Sequence, residues 1–287
     1  MQYPDPHAYA QALTDAKAKG PIALIVAEDD VEVASTLLHH AECGFRRIAL
    51  FLPVGLQLSA LPDVSHDVVR YDLSRANAVP DIVNAVIAAC PQQWIYLGYN
   101  AEYLFYPFSV SRRVGEMLVF ATEERRPVVM STVLDLYAPD LVATPNGVDL
   151  ARAHFDSVGY FDEPVLDAAG NVLPQQLAVQ GGLRWRFEEH VPQQSRRLDR
   201  PCLFRAVPDL RMQADRRFNI AEYNTYNCPW HHNVTACVAS FRAAKALRRN
   251  PVSHAAIHNF WCAQSTPFHW SDQQLMDLGF MEPGQWF

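Results

Sequence analysis

Carboxylates and guanidiniums carry the possible chemistry of this sequence, and they sit at few places. Glu28, Asp29 and Asp30 directly follow the apolar run Pro21–Ala27. Glu102 stands alone in the aromatic stretch Trp94-Ile-Tyr-Leu-Gly-Tyr-Asn-Ala-Glu-Tyr-Leu-Phe-Tyr-Pro107. Asp135 closes another apolar run, Val128–Leu134. A short apolar strand that breaks into polar residues at its carboxyl end is where open α/β sheets place their ligands. Carboxylates there can hold a hard cation or take a proton. A core strand running into a tyrosine-rich loop accounts for the same residues without any chemistry.

Arg184 and Arg186 alternate after a glycine pair in Gly181-Gly-Leu-Arg-Trp-Arg-Phe187. If that segment is extended, both guanidiniums point the same way. A paired-guanidinium surface suits a diphosphate or a carboxylate. Ordinary surface salt bridging explains the spacing equally well. His231 and His232 follow Cys228-Pro-Trp. Adjacent histidines point in different directions, so at most one enters a given site. A lone histidine near a helix start more often caps or packs than ligates. Cys228, His231 and His232 together match no standard zinc spacing.

The elements that must position these groups follow from hydrophobic pattern. Pro21–Ala27, Arg47–Pro53, Asp67–Tyr71, the run from Trp94, Val128–Leu134 and Pro201–Pro208 read as strands. Between them, a helix is expected after Asp30 as far as Cys43, with Val33, Leu37 and Leu38 inward, Asp29 or Asp30 as its cap and Gly44 at its end. Further helices are expected over Pro80–Cys90, Ser111–Arg126 and Val234–Arg249. Strands alternating with helices predict a mostly parallel sheet flanked by helices. Ala138–Val179 reads as a long loop. The aromatic tail, Phe260–Phe287, reads as a wrap against the main domain.

Composition bounds the function. The chain has 287 residues, of which 49% are hydrophobic, enough for a sizeable core and too many for global disorder. A formal net charge of -7 argues against non-specific nucleic-acid binding, while leaving room for a local basic pocket. Six scattered cysteines form no CxxC pair and point to free thiols in a reducing compartment. Neither a signal peptide nor a membrane-length apolar run is visible, so a soluble, cytoplasmic protein is expected. GxGxxG, GxxxxGK[ST] and GxSxG are all missing.

Taken together, the stretches resemble family 2-type glycosyltransferases, specifically a bacterial subgroup with DADEFLVYP-like text after a Trp-led strand. The corresponding residues are Tyr99-Asn-Ala-Glu-Tyr-Leu-Phe-Tyr-Pro107, preceded by Ile22–Ala27, Glu28, His39-His40 and Gly44-Phe45. Asp135-Leu-Tyr137, His154-Phe-Asp156, Gly159-Tyr160, Gly181–Phe187 and a late histidine, His231 or His232, follow in the family's order over roughly residues 20–250. The resemblance implies a GT-A-like fold, Rossmann-like, with a nucleotide-sugar-binding domain over 1–205 and a C-terminal helical extension over 206–287. It implies transfer of a sugar from a nucleoside-diphosphate donor to an acceptor hydroxyl, on a surface polysaccharide, a lipid-linked glycan or another glycoconjugate. Mn or Mg on the DxD carboxylates would neutralise the leaving diphosphate.

In the same terms, Glu28 lies near the nucleotide and Glu102 is the surviving acid of the metal loop. Asp135 is a base or a structural acid. Arg184 and Arg186 contact the diphosphate, and His232 or His231 closes the site. Glu102, His231 and His232 are the candidate metal ligands. The sequence departs from the family at its DxD, where Tyr99 and Ala101 replace the two aspartates. Two expectations result: a transferase with a repaired or metal-independent site, or a member that binds a sugar nucleotide, a glycan or a partner without turnover.

Overall fold

The computed structural model describes residues 1–58, 61–226 and 232–287. In chain order the strands are β1 (Gln2–Tyr3), β2 (Ile22–Val26), β3 (Arg47–Leu52), β4 (Asp67–Arg70), β5 (Trp94–Tyr99), β6 (Glu102–Phe105) and β7 (Val128–Asp135). They continue as β8 (His154–Asp156), β9 (Phe161–Leu166), β10 (Val172–Gln180), β11 (Asp199–Arg205), β12 (Ala236–Ser240) and β13 (Ser265–Pro267). The α-helices are α1 (Pro6–Asp15), α2 (Val33–Glu42), α3 (Ala78–Ala89), α4 (Val114–Glu123), α5 (Gly182–Arg186), α6 (Arg242–Arg249), α7 (Pro251–Ala256) and α8 (Asp272–Asp277).

Among the described residues, nine strands form one sheet in the order β1-β4-β3-β2-β5-β11-β7-β12-β6. From β1 to β5 every pairing is parallel. β11 runs antiparallel between β5 and β7, β12 is parallel to β7, and β6 is antiparallel to β12. β2 is apolar and buried along its whole length, because helices cover both faces. Its alternate residues separate cleanly. Ala23 and Ile25 pack with Leu37 of α2 and Met117 of α4. Ile22, Leu24 and Val26 pack with Leu13 of α1 and Ile82 of α3. The mostly parallel sheet flanked by helices is the architecture expected from the strand–helix alternation.

Local chemistry explains the helix starts. Asp5 caps α1 by accepting from the amides of His7 and Ala8 at 2.8 and 2.9 Å, with Pro6 at the first helical position. Neither Asp29 nor Asp30 caps α2. Glu32 occupies the N-cap position at φ 55° without a side-chain capping bond, and Asp29 is engaged elsewhere. Thr36 and His40, not Leu38, complete the inward face of α2.

Three segments differ from the sequence reading. Ala138–Val179 contains β8 and the β9–β10 hairpin. Gly181–Phe187 is not extended. Gly181 and Gly182 take φ values of 144° and 58°, which turn the chain out of β10 and into α5. A side chain at Gly181 would strike the Tyr160 ring at 2.5 Å. Val234–Arg249 is split between β12, inside the sheet, and α6. Residues 206–287 are therefore not a helical appendage, because they supply a strand that the sheet cannot close without. In the tail, Phe260, Phe268, Phe280 and Trp286 are buried, while Trp261 and Phe287 are exposed.

Candidate functional site

β5 and β6 are joined by Asn100 and Ala101 alone, yet three strands lie between them in the sheet. Four inter-strand steps span about 19 Å in a flat sheet. The backbone from Tyr99 to Glu102 reaches about 10 Å at most. The sheet must therefore curl, bringing the start of β6 across the carboxyl ends of its neighbours. Ala101 adopts φ 61° at this tight passage. Glu102 thus arrives beside Arg200 at the start of β11 and Ser240 at the end of β12.

Glu102 is fully buried. Arg200 donates to both of its oxygens, at 2.8 and 3.3 Å. Ser240 Oγ donates at 3.0 Å and the Tyr99 amide at 2.9 Å. Burial, the largest single influence, would raise its pKa, but Arg200, Arg242 and the Tyr99 amide together hold the carboxyl down at about 2. The acid that the resemblance assigns to a metal is a charge anchor for Arg200.

The neighbouring acids are engaged in the same way. Arg242, the first residue of α6, donates twice to Glu28, at 2.6 and 2.7 Å. Its guanidinium carbon lies 3.8 Å from the centre of the Tyr99 ring. Arg216 and Arg200 approach the same ring at 5.5 and 5.7 Å. Asp29 accepts from Lys245 Nζ at 2.9 Å and from Asn100 Nδ2 at 2.5 Å. Asn100 also accepts from the Glu28 amide at 2.9 Å, so its side chain ties the end of β5 to the acidic segment after β2. Burial works against the charge on Glu28 and Asp29, yet Arg242 and Lys245 keep both below the ordinary carboxylate range.

Asp135 ends β7 fully buried, and accepts from Arg184 Nε at 3.1 Å. Here burial wins over the Arg184 charge and the pKa is raised. Arg184 also donates to the carbonyl of Arg197 at 2.8 Å. Arg186 goes elsewhere. It pairs with Asp156 at 3.0 Å, donates to the Phe260 carbonyl at 2.6 Å and lies over the Tyr137 ring. Two residues apart on a helix means about 200° around its axis, so the paired-guanidinium arrangement does not form. His232 is 74% exposed and pairs with Glu282 at 3.3 Å, on the side of Phe120 and Gln285. It does not line the cleft. His231 and Cys228 lie outside the described residues.

The arginines surround a two-lobed cleft. The larger lobe, about 390 Å³, is lined by Arg184, Arg197, Arg200, Arg216, Arg217 and Arg242, against Asp199 and Asp215. The smaller, about 270 Å³, shares Arg184, Ser195 and Arg242 with it and adds Glu28 and His190. A cavity of about 510 Å³ lies beside the outer edge of β6, lined by His39, Arg112 and Trp270 among others. It is bigger, but it lacks the convergence of cations. Six guanidiniums converge on this lobe, and Arg184, Arg197, Arg200, Arg217 and Arg242 are each paired with a carboxylate.

The donor set does not fit a divalent cation. Both oxygens of Glu102 are taken by N–H and O–H donors, and Arg242 and Lys245 bring positive charge to where a metal would need carboxylates. Among the described residues, no three His, Cys, Asp or Glu side chains group to hold a metal ion. Nor is any helix among them long and apolar enough to cross a membrane.

Arg200, Arg216, Arg242 and Lys245 were not singled out by sequence reasoning. One signal was present. Arg242 stands at the positive end of a helix dipole, where a basic residue is unfavourable, with Lys245 one turn along on the same face. In comparisons with known proteins, no family model matches this chain, and no curated protein matches it.

Proposed function

We propose that this protein transfers a sugar from a nucleoside-diphosphate donor to an acceptor hydroxyl, on a GT-A-like sheet, with the donor in the arginine-lined cleft. The observation that carries the reading is the meeting of Arg184, Arg200 and Arg242 at the carboxyl ends of β5, β7 and β12. That is where open α/β sheets bind ligands, and guanidiniums match phosphate oxygens in charge and geometry. The ordered resemblance of the Tyr99–Pro107, Asp135–Tyr137, His154–Asp156 and Gly181–Phe187 stretches supplies the sugar-transfer half.

Both oxygens of Glu28 and of Glu102 are held by guanidiniums, so these two set charge and position, whereas Asp135 Oδ2 has no partner within the protein. The engagement of Glu28 and Glu102 favours a second reading, in which the cleft binds a sugar nucleotide without turnover. Calorimetric titration of UDP- and GDP-sugars, followed by an assay of donor hydrolysis and transfer, separates the two. Binding with turnover, both lost in Arg242→Ala, supports transfer. Binding without turnover supports the second reading, and no binding of any donor sinks both.

A further inference from the structure

The Tyr99 ring is approached by three guanidiniums, but only two of them are neutralised. Arg242 is matched by Glu28 and Arg200 by Glu102. Among the described residues, no carboxylate pairs with Arg216. Arg216 sits on a tight turn in which the Gln213 amide donates to the Arg217 carbonyl at 2.8 Å and the Arg216 amide donates to the Gln213 carbonyl at 2.9 Å. Its φ is 66°, a left-handed conformation that an arginine rarely adopts. The turn is pinned by a bridge between Met212 and Phe218, and the Asp215 carboxylate accepts from the Arg217 amide at 3.0 Å. A strained, exposed turn therefore presents an uncompensated cation to the ring that Arg242 already covers. Two buried polar atoms there, Arg200 Nε and Tyr99 Oη, have no hydrogen-bond partner within the protein.

We propose that Arg242, Arg200 and Arg216, arrayed around Tyr99, bind a diphosphate directly and stand in for the divalent cation that the lost DxD aspartates would have held. Arg242 and Arg200 are fixed by their carboxylates and cannot swing away. Arg216 supplies the net charge. A diphosphate accepts several charge-assisted hydrogen bonds at once, which planar guanidiniums provide without a metal. Identifying that diphosphate as part of a sugar donor rests on the sugar-transfer reading, whereas binding of the bare anion does not.

The test uses the full chain with inorganic pyrophosphate and with UDP, titrated calorimetrically in EDTA and again in Mn. The affinity is expected to change less than about twofold between the two conditions. Arg216→Gly is expected to weaken both ligands about tenfold, the size of one charge-assisted contact. Its thermal midpoint should hold or rise, because glycine takes a positive φ without strain. Arg242→Lys keeps the charge, loses the planar fork, and should weaken both ligands as well. Binding that appears only with Mn overturns the proposal and leaves sugar transfer standing. Unchanged affinity in Arg216→Gly also overturns it. Metal-free pyrophosphate binding without transfer from any donor upholds the proposal and removes the sugar-transfer reading.

Discussion

The two halves of the sheet solve burial in opposite ways. From β4 to β5 the strands are parallel and built almost wholly of aliphatic and aromatic residues, sealed between helices. From β11 to β6 the directions are mixed, and Glu102, Asp135, Ser131 and Ser240 are buried within the strands. The first half is held by apolar area removed from water. The second holds ions, and each buried carboxylate is tolerated because a guanidinium faces it. Replacing such ion pairs with hydrocarbon is often neutral or stabilising, so the two halves differ in how much of their burial stability accounts for.

Glu102→Gln breaks the comparison hardest. It leaves Arg200 buried without a counter-charge, and a loss of about 3–5 kcal/mol is expected in denaturant unfolding at neutral pH. The same residue carries an acid dependence. Its folded pKa of about 2 lies below the ordinary 4.5, so the unfolded chain takes up the proton first as pH falls. The stabilisation is complete above 4.5 and disappears as pH drops through 2, a change of about 3 kcal/mol. The wild-type and Glu102→Gln stability curves should therefore converge over that window. If they stay parallel, Glu102 is not the anchor described.

Leu50→Ala is the matching cut in the first half. It should cost about 3 kcal/mol through the cavity it leaves, by the same amount at pH 7 and pH 4. A cost that depends on pH would erase the distinction between the halves. The smallest effect sharpens the picture within α5. Arg186→Ala should lower stability by about 2 kcal/mol, by orphaning Asp156, yet leave pyrophosphate affinity unchanged. Arg184→Ala should lower that affinity. Equal ligand effects would mean that the two arginines share a site after all.

How much could be read in advance follows the same division. β2, β3, β4, β5 and β7 were visible as apolar runs, because a strand buried on both faces has no other way to look. β12 was hidden. Ala-Cys-Val-Ala-Ser is short, its small residues suit a helix as well as a strand, and its place depends on β6 and β7, which are far away in sequence. Arg184, singled out from the sequence, does line the cleft. The expected pairing with Arg186 does not form, because two glycines at positive φ turn the chain into a helix and change the period from two to 3.6. The cations around Tyr99 come from β11, a turn and α6. No spacing rule joins positions 200, 216 and 242; Arg200 reaches the ring because β11 lies antiparallel beside β5, a pairing set by tertiary structure.

The pairing of β6 with β12 has a consequence for how the chain comes together. Glu102 and Ser240 are 138 positions apart, and the carboxylate has no complete set of partners until both Arg200 and Ser240 have arrived. During synthesis the β2–β5 layer, with α1, α2 and α3, can assemble from the growing chain long before that. The cleft, by contrast, is closed by the last third of the protein. Shortened products ending before residue 236 would expose an acid and an open strand edge, and they should be the forms that aggregate or are degraded.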